Sequence, residues 1–328
     1  MKTLNLIAYS KTGFEQNIGD SFTAIALQKY LKRKTDSWQL GYFNLKKYDL
    51  NKYDLVILGG GGIYHPDHLK TLEKNTNLFS STTPLAIIGI GLNLEGQQQF
   101  KDKDIKRLIN LNKRAFINTV RDDWSFNYLK SLGINSQITG CPSLFLPELY
   151  QLKTKPIYDL GLNFAISHTG YYQQKSQSTL KFINRVAKKL KGKKIIICHS
   201  KKEKKLYQKI FPNIRVFYSN KPQSVLSIYR NCQLVLGMRG HSQIFALATN
   251  TSSLAIPLNE KVAQPVKMTS QSSDKLIISL NESLASVEKK INYVFKNQFK
   301  IKKQQRRLKN QLKNNFLKTI KQIHQRFN

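Results

Sequence analysis

The sequence predicts an α/β protein with two Rossmann-like domains and a basic helical extension at the C-terminal end. Short apolar runs recur along the chain, and longer segments with helical spacing separate them. Most of these runs are continuously apolar, which is typical of parallel strands that are buried on both faces. Strands that alternate with helices favour right-handed βαβ units and therefore parallel sheets. Because about six runs occur in each half of the chain, we expect one sheet per half.

The predicted domains cover residues 1–145 and 158–283, and the extension covers residues 284–328. The segment 140–158 contains three prolines and is predicted as the linker. In the first half the predicted strands are Thr3–Tyr9, Trp38–Phe43, Asp54–Leu58, Leu85–Ile90, Ala115–Val120 and Asn135–Ile138. In the second half they are Gly161–Ile166, Lys194–Cys198, Ile214–Tyr218, Leu234–Leu236, Ser253–Pro257 and Lys275–Leu280. Predicted helices include Ser21–Arg33, Asp123–Leu132, Ser178–Leu190, Ser224–Asn231 and His241–Thr249.

The charge of the chain calls for an anionic partner. The 328 residues include 54 Lys and Arg against 19 Asp and Glu, which gives a formal net charge of +35. The excess increases toward the C-terminal end, and no acidic residue follows Glu288. Nucleic acid, an anionic membrane surface and a phosphorylated substrate all fit such a charge. A compositional bias toward Lys and Asn is the alternative that needs no partner.

Composition and patterning indicate a cytoplasmic protein. No run approaches the roughly 18 consecutive apolar residues that a membrane span needs. The first residues have too short an apolar core for a signal peptide. The three cysteines are widely spaced, which argues against a disulfide framework or a cysteine-rich zinc site. We therefore expect a reduced, cytoplasmic chain.

The extension shows helical spacing of apolar residues within a basic background. Apolar residues recur from Leu284 to Phe295 and again from Leu308 to Phe327, and Lys, Arg, Gln and Asn fill the intervening positions. This pattern predicts one or two amphipathic helices. Two interpretations follow: the helices pack back on the protein, or they dock on an anionic membrane surface at the inner face of the membrane.

Two polar or glycine-rich loops follow predicted strands of the first half. The loop Asn17-Ile18-Gly19-Asp20 precedes a predicted helix and suits an anion or a sugar hydroxyl, although Asp20 also fits an N-cap. Gly59, Gly60, Gly61 and Gly62 follow the strand Asp54–Leu58, where α/β proteins bind ligands. The glycine-rich loop does not match a dinucleotide-binding or P-loop motif.

Cationic side chains follow three further predicted strands. Arg121 ends the strand Ala115–Val120, and an ion pair with Asp122 or Asp123 is its structural alternative. Arg239 and His241 follow the strand Leu234–Leu236, and Lys261 follows Ser253–Pro257. Gathered at one sheet edge, such side chains make a cationic pocket with one titratable proton carrier.

Taken in order, these motifs resemble the polysaccharide pyruvyl transferase family. The resemblance runs from about residue 5 to residue 262 and includes the N-x-G-D loop, the glycine-rich loop, V-R-D-x-x-S from Val120, G-C-P-S from Gly140 and G-x-R-x-H from Gly237. It implies a GT-B-like pair of Rossmann-like domains with the active site in the cleft between them. It also implies transfer of the pyruvyl group of phosphoenolpyruvate to a sugar as a ketal, without a metal or other cofactor.

The resemblance also implies roles for individual residues. It places phosphoenolpyruvate on Arg121, Arg239, His241 and Lys261. Asn17, Asp20 and the loop of Gly60, Gly61 and Gly62 would face the acceptor, which is a sugar or a lipid-linked saccharide. His241 is the candidate general acid–base, with Asp20 and Arg121 as further catalytic candidates.

Two other functions compete with this hypothesis. A GT-B glycosyltransferase that uses a nucleotide sugar shares the fold and a cationic cleft. A nucleic-acid-binding protein would account for the charge, but the sequence has no zinc motif and no aromatic RNA-recognition signature. We therefore do not expect nucleic acid as the partner.

Overall fold

The computed structural model divides the chain into two compact units. It describes residues 1–8, 11–12, 15–94, 98–152, 156–165, 176–270 and 272–327. The first unit consists of Met1–Lys11, Gly19–Phe145 and Asn310–Asn328. The second consists of Thr12–Ile18 and Leu146–Lys309.

The elements alternate between strands and helices along most of the chain. Up to residue 138 they are β1 (Lys2–Ile7), β2 (Lys11–Thr12), β3 (Glu15–Gln16), α1 (Ile18–Leu31), β4 (Ser37–Tyr42), β5 (Leu55–Gly59), α2 (Pro66–Asn75), β6 (Leu85–Ile90), α3 (Asp102–Arg114), β7 (Ile117–Val120), α4 (Asp123–Ser131) and β8 (Gln137–Ile138). From residue 158 they are β9 (Tyr158–Asn163), α5 (Ser176–Lys189), β10 (Lys194–Ile197), α6 (Lys201–Ile210), β11 (Arg215–Phe217), α7 (Pro222–Arg230), β12 (Cys232–Gly237), α8 (Gly240–Ala248), β13 (Ser252–Ala255), α9 (Glu260–Thr269), α10 (Leu284–Lys296) and α11 (Gln298–Arg326). Short 3₁₀ helices cover Leu50–Lys52, Pro142–Leu149 and Ser273–Leu276.

The first unit is built on a parallel six-stranded sheet with the order β4-β1-β5-β6-β7-β8. Every residue of β5 and β6 is buried, as expected of apolar strands covered on both faces. Thr3 of β1 pairs with Leu55 of β5, and Val56 pairs with Leu85 of β6. The strand order changes direction between β1 and β5, so the carboxyl ends of these two strands open the crevice where such sheets bind ligands.

The second unit repeats this plan with a parallel five-stranded sheet in the order β11-β10-β9-β12-β13. Leu160 of β9 pairs with Lys194 of β10 on one side and with Leu234 of β12 on the other. The order changes direction at β9, so the ligand-binding crevice is expected beside the carboxyl ends of β9 and β12. Both units thus confirm the predicted α/β class with parallel sheets.

Lys275–Leu280 is not the strand that the sequence predicts. The run Ser272-Ser273-Asp274 favours a turn, and Ser273–Leu276 forms a 3₁₀ helix. Ile277 makes only an isolated bridge to Ala255. Two predicted strand ends, Tyr9 and Ile166, lie outside the described residues.

The C-terminal residues form α10 and α11, and α11 is 29 residues long. Its apolar side is buried against the protein through residues Ile301, Leu312, Phe316, Ile320 and Ile323. In the second unit Gln305 Nε2 donates to the carbonyl of Thr251 at 3.2 Å. In the first unit the Phe316 ring stacks on Phe145, with 4.8 Å between ring centroids. The apolar stripe therefore packs on the protein, as the first of the two interpretations expects. Among the described helices, none combines the length and the apolar character that crossing a membrane requires.

Candidate active site

The glycine-rich loop lies at the switch point of the first sheet, directly after β5. Gly60 and Gly61 have φ angles of 82° and 80°, which L-residues with side chains rarely adopt. A Cβ on Gly60 would also overlap the methyl group of Thr23 on α1. The loop is pinned on its other side, since the Gly91 N–H donates to the Gly61 carbonyl at 3.1 Å. Glycine is therefore required here by both backbone conformation and close approach to α1.

Two polar side chains border this loop. A Cβ on Gly61 would lie 3.0 Å from Oδ1 of Asp20, and a Cβ on Gly62 would lie 2.6 Å from Cβ of Asn93. Asp20 stands at the third position of α1, which begins at Ile18, so the interpretation of Asp20 as the N-cap is wrong. Asn93 carried no motif in the sequence, and only the sheet brings it beside the loop.

Two histidines that the sequence motifs do not single out, His65 and His68, lie beside the glycine-rich loop. Nδ1–H of His68 donates to the carbonyl of Gly62 at 3.2 Å. His65 caps α2, and its Nδ1 accepts the N–H of Asp67 at 3.2 Å, so its Nε2 carries the proton when the ring is neutral. The two ring centroids are 5.2 Å apart. The sequence H-P-D-H, which Ile63 and Tyr64 separate from the four glycines, is the signal that would have found them.

Arg121 lies in a tightly bonded position at the end of β7. Its Nε donates to Oδ2 of Asp122 and its Nη2 to the carbonyl of Leu92, both at 2.8 Å. Asp122 is itself the N-cap of α4 and accepts the N–H of Ser125 at 2.8 Å. The structural alternative, an ion pair with Asp122, is thus present, and it uses two of the five N–H groups of the guanidinium.

In the second unit, Arg239 follows β12 and is held by a buried carboxylate. Nε and Nη2 of Arg239 both donate to Oε1 of Glu203. Oε2 of Glu203 accepts the N–H of His199 at 2.7 Å, so both carboxylate oxygens are engaged. Burial opposes the charge of Arg239, but the Glu203 carboxylate raises the pKa of Arg239 above its ordinary value.

The sequence carried a signal for Glu203 that was not used. Ser200-Lys201-Lys202-Glu203 is a capping-box pattern that begins one residue beyond the predicted strand Lys194–Cys198. Oγ of Ser200 accepts the N–H of Glu203 at 3.2 Å and starts α6. The box fixes Glu203 at the end of β10, from where it reaches Arg239 across β9.

His199 is a second buried histidine near His241. Its Nε2 is 2.9 Å from the hydroxyl of Tyr229, and its ring packs 5.6 Å from Phe245. Burial is the main reason that the pKa of His199 is well below its ordinary value, and Arg239 and His241 lower it further. His199 is therefore neutral near neutral pH. A histidine immediately after the predicted strand Lys194–Cys198 was the available sequence signal.

His241 and Lys261 complete the cationic edge of the second sheet. His241 is buried in the first turn of α8, and its ring centroid lies 5.8 Å from that of Phe245. Lys261 lies in the first turn of α9, and its carbonyl is 3.6 Å from the position of a Cβ on Gly240. The sheet therefore brings Arg239, His241 and Lys261 to one edge. Of the other predicted site residues, Asn17 belongs to this second unit, whereas Asp20, Arg121 and the residues Gly60, Gly61 and Gly62 belong to the first.

The comparison with protein families decides what these motifs have in common. The model of the family described as polysaccharide pyruvyl transferase matches residues 17–260, which is more than half of the chain. The chain belongs to the polysaccharide pyruvyl transferase family. It is therefore a member of an enzyme family, and the resemblance drawn from its motifs is confirmed. No curated protein sequence matches the chain.

The family match covers the predicted site residues from Asn17 to His241 and ends one residue before Lys261. Glu203, His199, His65 and His68 also lie inside the matched range. The extension formed by α10 and α11 lies outside it.

Solved structures show the fold of this pyruvyl transferase family member. The UDP-GlcNAc 2-epimerase of Methanocaldococcus jannaschii in complex with UDP-GlcNAc and UDP is 14% identical, over 89% of this chain and 92% of that one, with a TM-score of 0.54. MnaA of S. aureus, a UDP co-structure, is 13% identical over 93% and 90%, with a TM-score of 0.52. Sucrose-phosphate synthase of Thermosynechococcus elongatus is 11% identical over 99% and 98%, also with a TM-score of 0.52. At these identities the likeness shows the fold alone, and it confirms the GT-B-like class of two Rossmann-like units.

Proposed function

We propose that this protein transfers the pyruvyl group of phosphoenolpyruvate to a sugar of a cell-surface polysaccharide or glycolipid precursor and forms a ketal. The observation that carries the proposal is the grouping of Arg239, His241 and Lys261 at the switch-point edge of the second sheet. The family match supports the reaction type.

The second unit offers what a trianionic donor requires. Arg239 is oriented by Glu203, and a pre-oriented guanidinium binds phosphate or carboxylate without a further loss of side-chain freedom. The N-terminus of α8, which begins at Gly240, adds backbone N–H groups that favour an anion. Lys261 adds a second fixed cation. The Glu203 carboxylate offsets one of these positive charges. The proposed donor site therefore selects its anion by the placement of Arg239 and Lys261 as well as by net charge.

His241 is the proposed proton carrier. Protonation of the donor's methylene carbon gives an oxocarbenium-like centre, which a sugar hydroxyl attacks while losing its proton. The bond from this carbon to the phosphate oxygen then breaks, and a second hydroxyl forms the remaining bond of the ketal. Of the two hydroxyl protons released, one replaces the proton given to the methylene carbon, and the other leaves with phosphate.

The first unit supplies the proposed acceptor contacts. Asp20 beside the glycine-rich loop suits a sugar hydroxyl, as a hydrogen-bond acceptor and as a base. In the glycine-rich loop Gly62 is half-buried and can meet a sugar, whereas Gly60 and Gly61 are buried and would act by shaping the loop. Asn17 and Arg121 keep the roles that the resemblance implies, acceptor contact and donor contact, as predictions.

A ligand-stabilisation experiment tests the donor. We expect phosphoenolpyruvate, and not a UDP-sugar, to raise the melting temperature of the full chain. Lys261→Gln should raise the phosphoenolpyruvate concentration at the midpoint of this shift about tenfold, because a charge-assisted contact is lost. Lys267→Gln is the matched control, because Lys267 lies on the same helix in a surface pair with Glu260.

Two results would contradict the proposal. One is a shift caused by a nucleoside diphosphate or UDP-sugar with none from phosphoenolpyruvate, which favours a nucleotide-sugar glycosyltransferase. The other is an equal loss of the phosphoenolpyruvate-induced melting shift in Lys267→Gln and Lys261→Gln. That result would mean that the net charge of the protein, and not a contact of Lys261, causes the shift.

A further inference from the structure

The outward face of the helical extension carries an exposed aromatic ring within a group of cations. Phe299 is 77% exposed at the start of α11, although it is a large apolar side chain. Phe295, one turn earlier at the end of α10, is 37% exposed. All of this face lies in the second unit, which extends to Lys309.

Exposed basic residues lie on both sides of Phe299 in the sequence. Lys296, Lys300 and Lys303 lie three, one and four residues from it, and all three are exposed. Side chains four residues apart on a helix lie on the same face, so Lys303 and Phe299 share a face of α11, with Lys300 exposed beside them and Lys296 exposed at the end of α10. Arg306 and Arg307 continue the surface by one turn and are also exposed. We call this group, Phe295 to Arg307 on the outward side, the Phe299 face.

The opposite side of the same helix is firmly anchored. Ile301 is 4% exposed, and Gln305 bonds the carbonyl of Thr251. The apolar stripe that the sequence offers for membrane docking is thus occupied by the protein itself. The Phe299 face is a separate surface, on the side that the stripe leaves outward.

From this arrangement we infer that the Phe299 face docks on an anionic membrane surface, with Phe299 inserted at the level of the headgroups. An aromatic ring beside lysines is the composition that the membrane interface accepts, since lysines attract anionic headgroups while the ring enters the boundary of the acyl region. No acidic residue follows Glu288, so no charge on this helix opposes the approach. The inference does not depend on the proposed reaction.

Other partners fit the face less well. A stable protein interface buries roughly 800 Å² on each side around an apolar centre, and two phenylalanine rings among basic side chains do not supply that centre. Single-stranded nucleic acid is bound in grooves that follow the strand, whereas this surface is the convex outer side of a helix.

Vesicle binding by the full chain tests the inference. We expect the protein to co-sediment with phosphatidylcholine vesicles that contain roughly 30% phosphatidylglycerol, and to release as salt rises well above about 0.1 M. Phe299→Ala should weaken the apparent partition coefficient about tenfold, because the inserted ring is lost. The double variant Lys300→Gln/Lys303→Gln should weaken it about 25-fold, at roughly fivefold for each lysine.

Matched variants separate the face from general charge. Phe79→Ala removes an exposed phenylalanine elsewhere on the chain, and Lys188→Gln/Lys189→Gln removes two exposed lysines from α5. Both should bind vesicles as the parent protein does. Unchanged melting temperatures show that the variants are folded.

Three results would overturn the inference. The first is binding to pure phosphatidylcholine vesicles that equals the binding to vesicles with phosphatidylglycerol, or no binding to either kind of vesicle. The second is parental binding by Phe299→Ala, or an equal loss in the Lys188→Gln/Lys189→Gln control. The third is displacement from the vesicles by a single-stranded oligonucleotide at the same salt concentration, which would assign the face to nucleic acid.

Discussion

Arg121 in the first unit and Arg239 in the second occupy equivalent places but are held in different ways. Both follow the carboxyl end of a parallel strand, and both donate to a buried carboxylate. The partner of Arg121 is the next residue, Asp122, which also caps α4. The partner of Arg239 is Glu203, which lies 36 residues earlier in the chain.

The difference shows how each unit positions a cation. In the first unit the start of one helix fixes the arginine, and the carbonyl of Leu92 is a second acceptor. In the second unit the order of three strands brings β10 and β12 to either side of β9, and the pair forms across it. Among the described residues, both hydrogen bonds of Arg239 end on Glu203, so this site depends on one distant side chain.

Removal of each carboxylate is the strongest test of this comparison. Glu203→Ala leaves the buried guanidinium of Arg239 without its acceptor, and we expect a loss of about 3–5 kcal/mol in the free energy of unfolding. Asp122→Ala removes a cap and an ion pair but leaves Arg121 bonded to Leu92, and we expect about 1–3 kcal/mol. Urea unfolding at neutral pH measures both.

Glu288→Ala is the matched control, because Glu288 is exposed on α10. Its effect should stay within about 0.5 kcal/mol. If Asp122→Ala costs as much as Glu203→Ala, the distinction between a local and a distant pair fails.

The same contrast explains what the sequence could predict. Continuous apolar runs such as Leu85–Ile90 predict buried parallel strands because the pattern is local, and this strand has the predicted bounds. The Arg121–Asp122 pair was open to prediction because its members are adjacent. The Arg239–Glu203 pair, Asn93 and the neutral state of His199 depend on strand order and burial, which no local pattern contains. The packing of α11 was left between two interpretations for the same reason, since amphipathicity does not say what the apolar side meets.

The glycine-rich loop of the first unit provides a second test of how a strand end is positioned against a helix. Gly60 has a positive φ, and its Cβ would overlap Thr23, whereas Gly133 has φ of 70° with nothing within 4 Å of a Cβ. Both alanine substitutions therefore carry a cost of roughly 1 kcal/mol for the left-handed backbone. Gly60→Ala should cost about 1–3 kcal/mol more, because the overlap forces α1 to move.

The difference between the two variants, measured by urea unfolding, isolates the close approach of the loop to α1. Equal costs would mean that the loop relaxes without disturbing the helix, and that backbone conformation alone explains glycine at position 60. Gly60→Ala should also reduce acceptor binding, whereas Gly133→Ala should not.

His199 gives the smallest expected effect and the sharpest test of burial in the second unit. In the unfolded chain its pKa returns to about 6.5, whereas in the folded protein it is well below that value. Below about pH 6.5 the unfolded state therefore binds more protons, so stability is full above this pH and falls as the pH decreases, by up to about 1.4 kcal/mol per pH unit. The free energy of unfolding, measured between about pH 5.5 and 7.5, should show this dependence on pH. In His199→Gln the part of the dependence that comes from the proton of His199 should be lost.

His324→Gln is the comparison variant, because His324 lies on α11 and bonds the carbonyl of Leu31 in the first unit. It should retain the slope that His199 produces. A slope in His199→Gln equal to that of the parent protein would mean that His199 takes up its proton equally in both states. Burial would then not determine the protonation of His199 in the second unit.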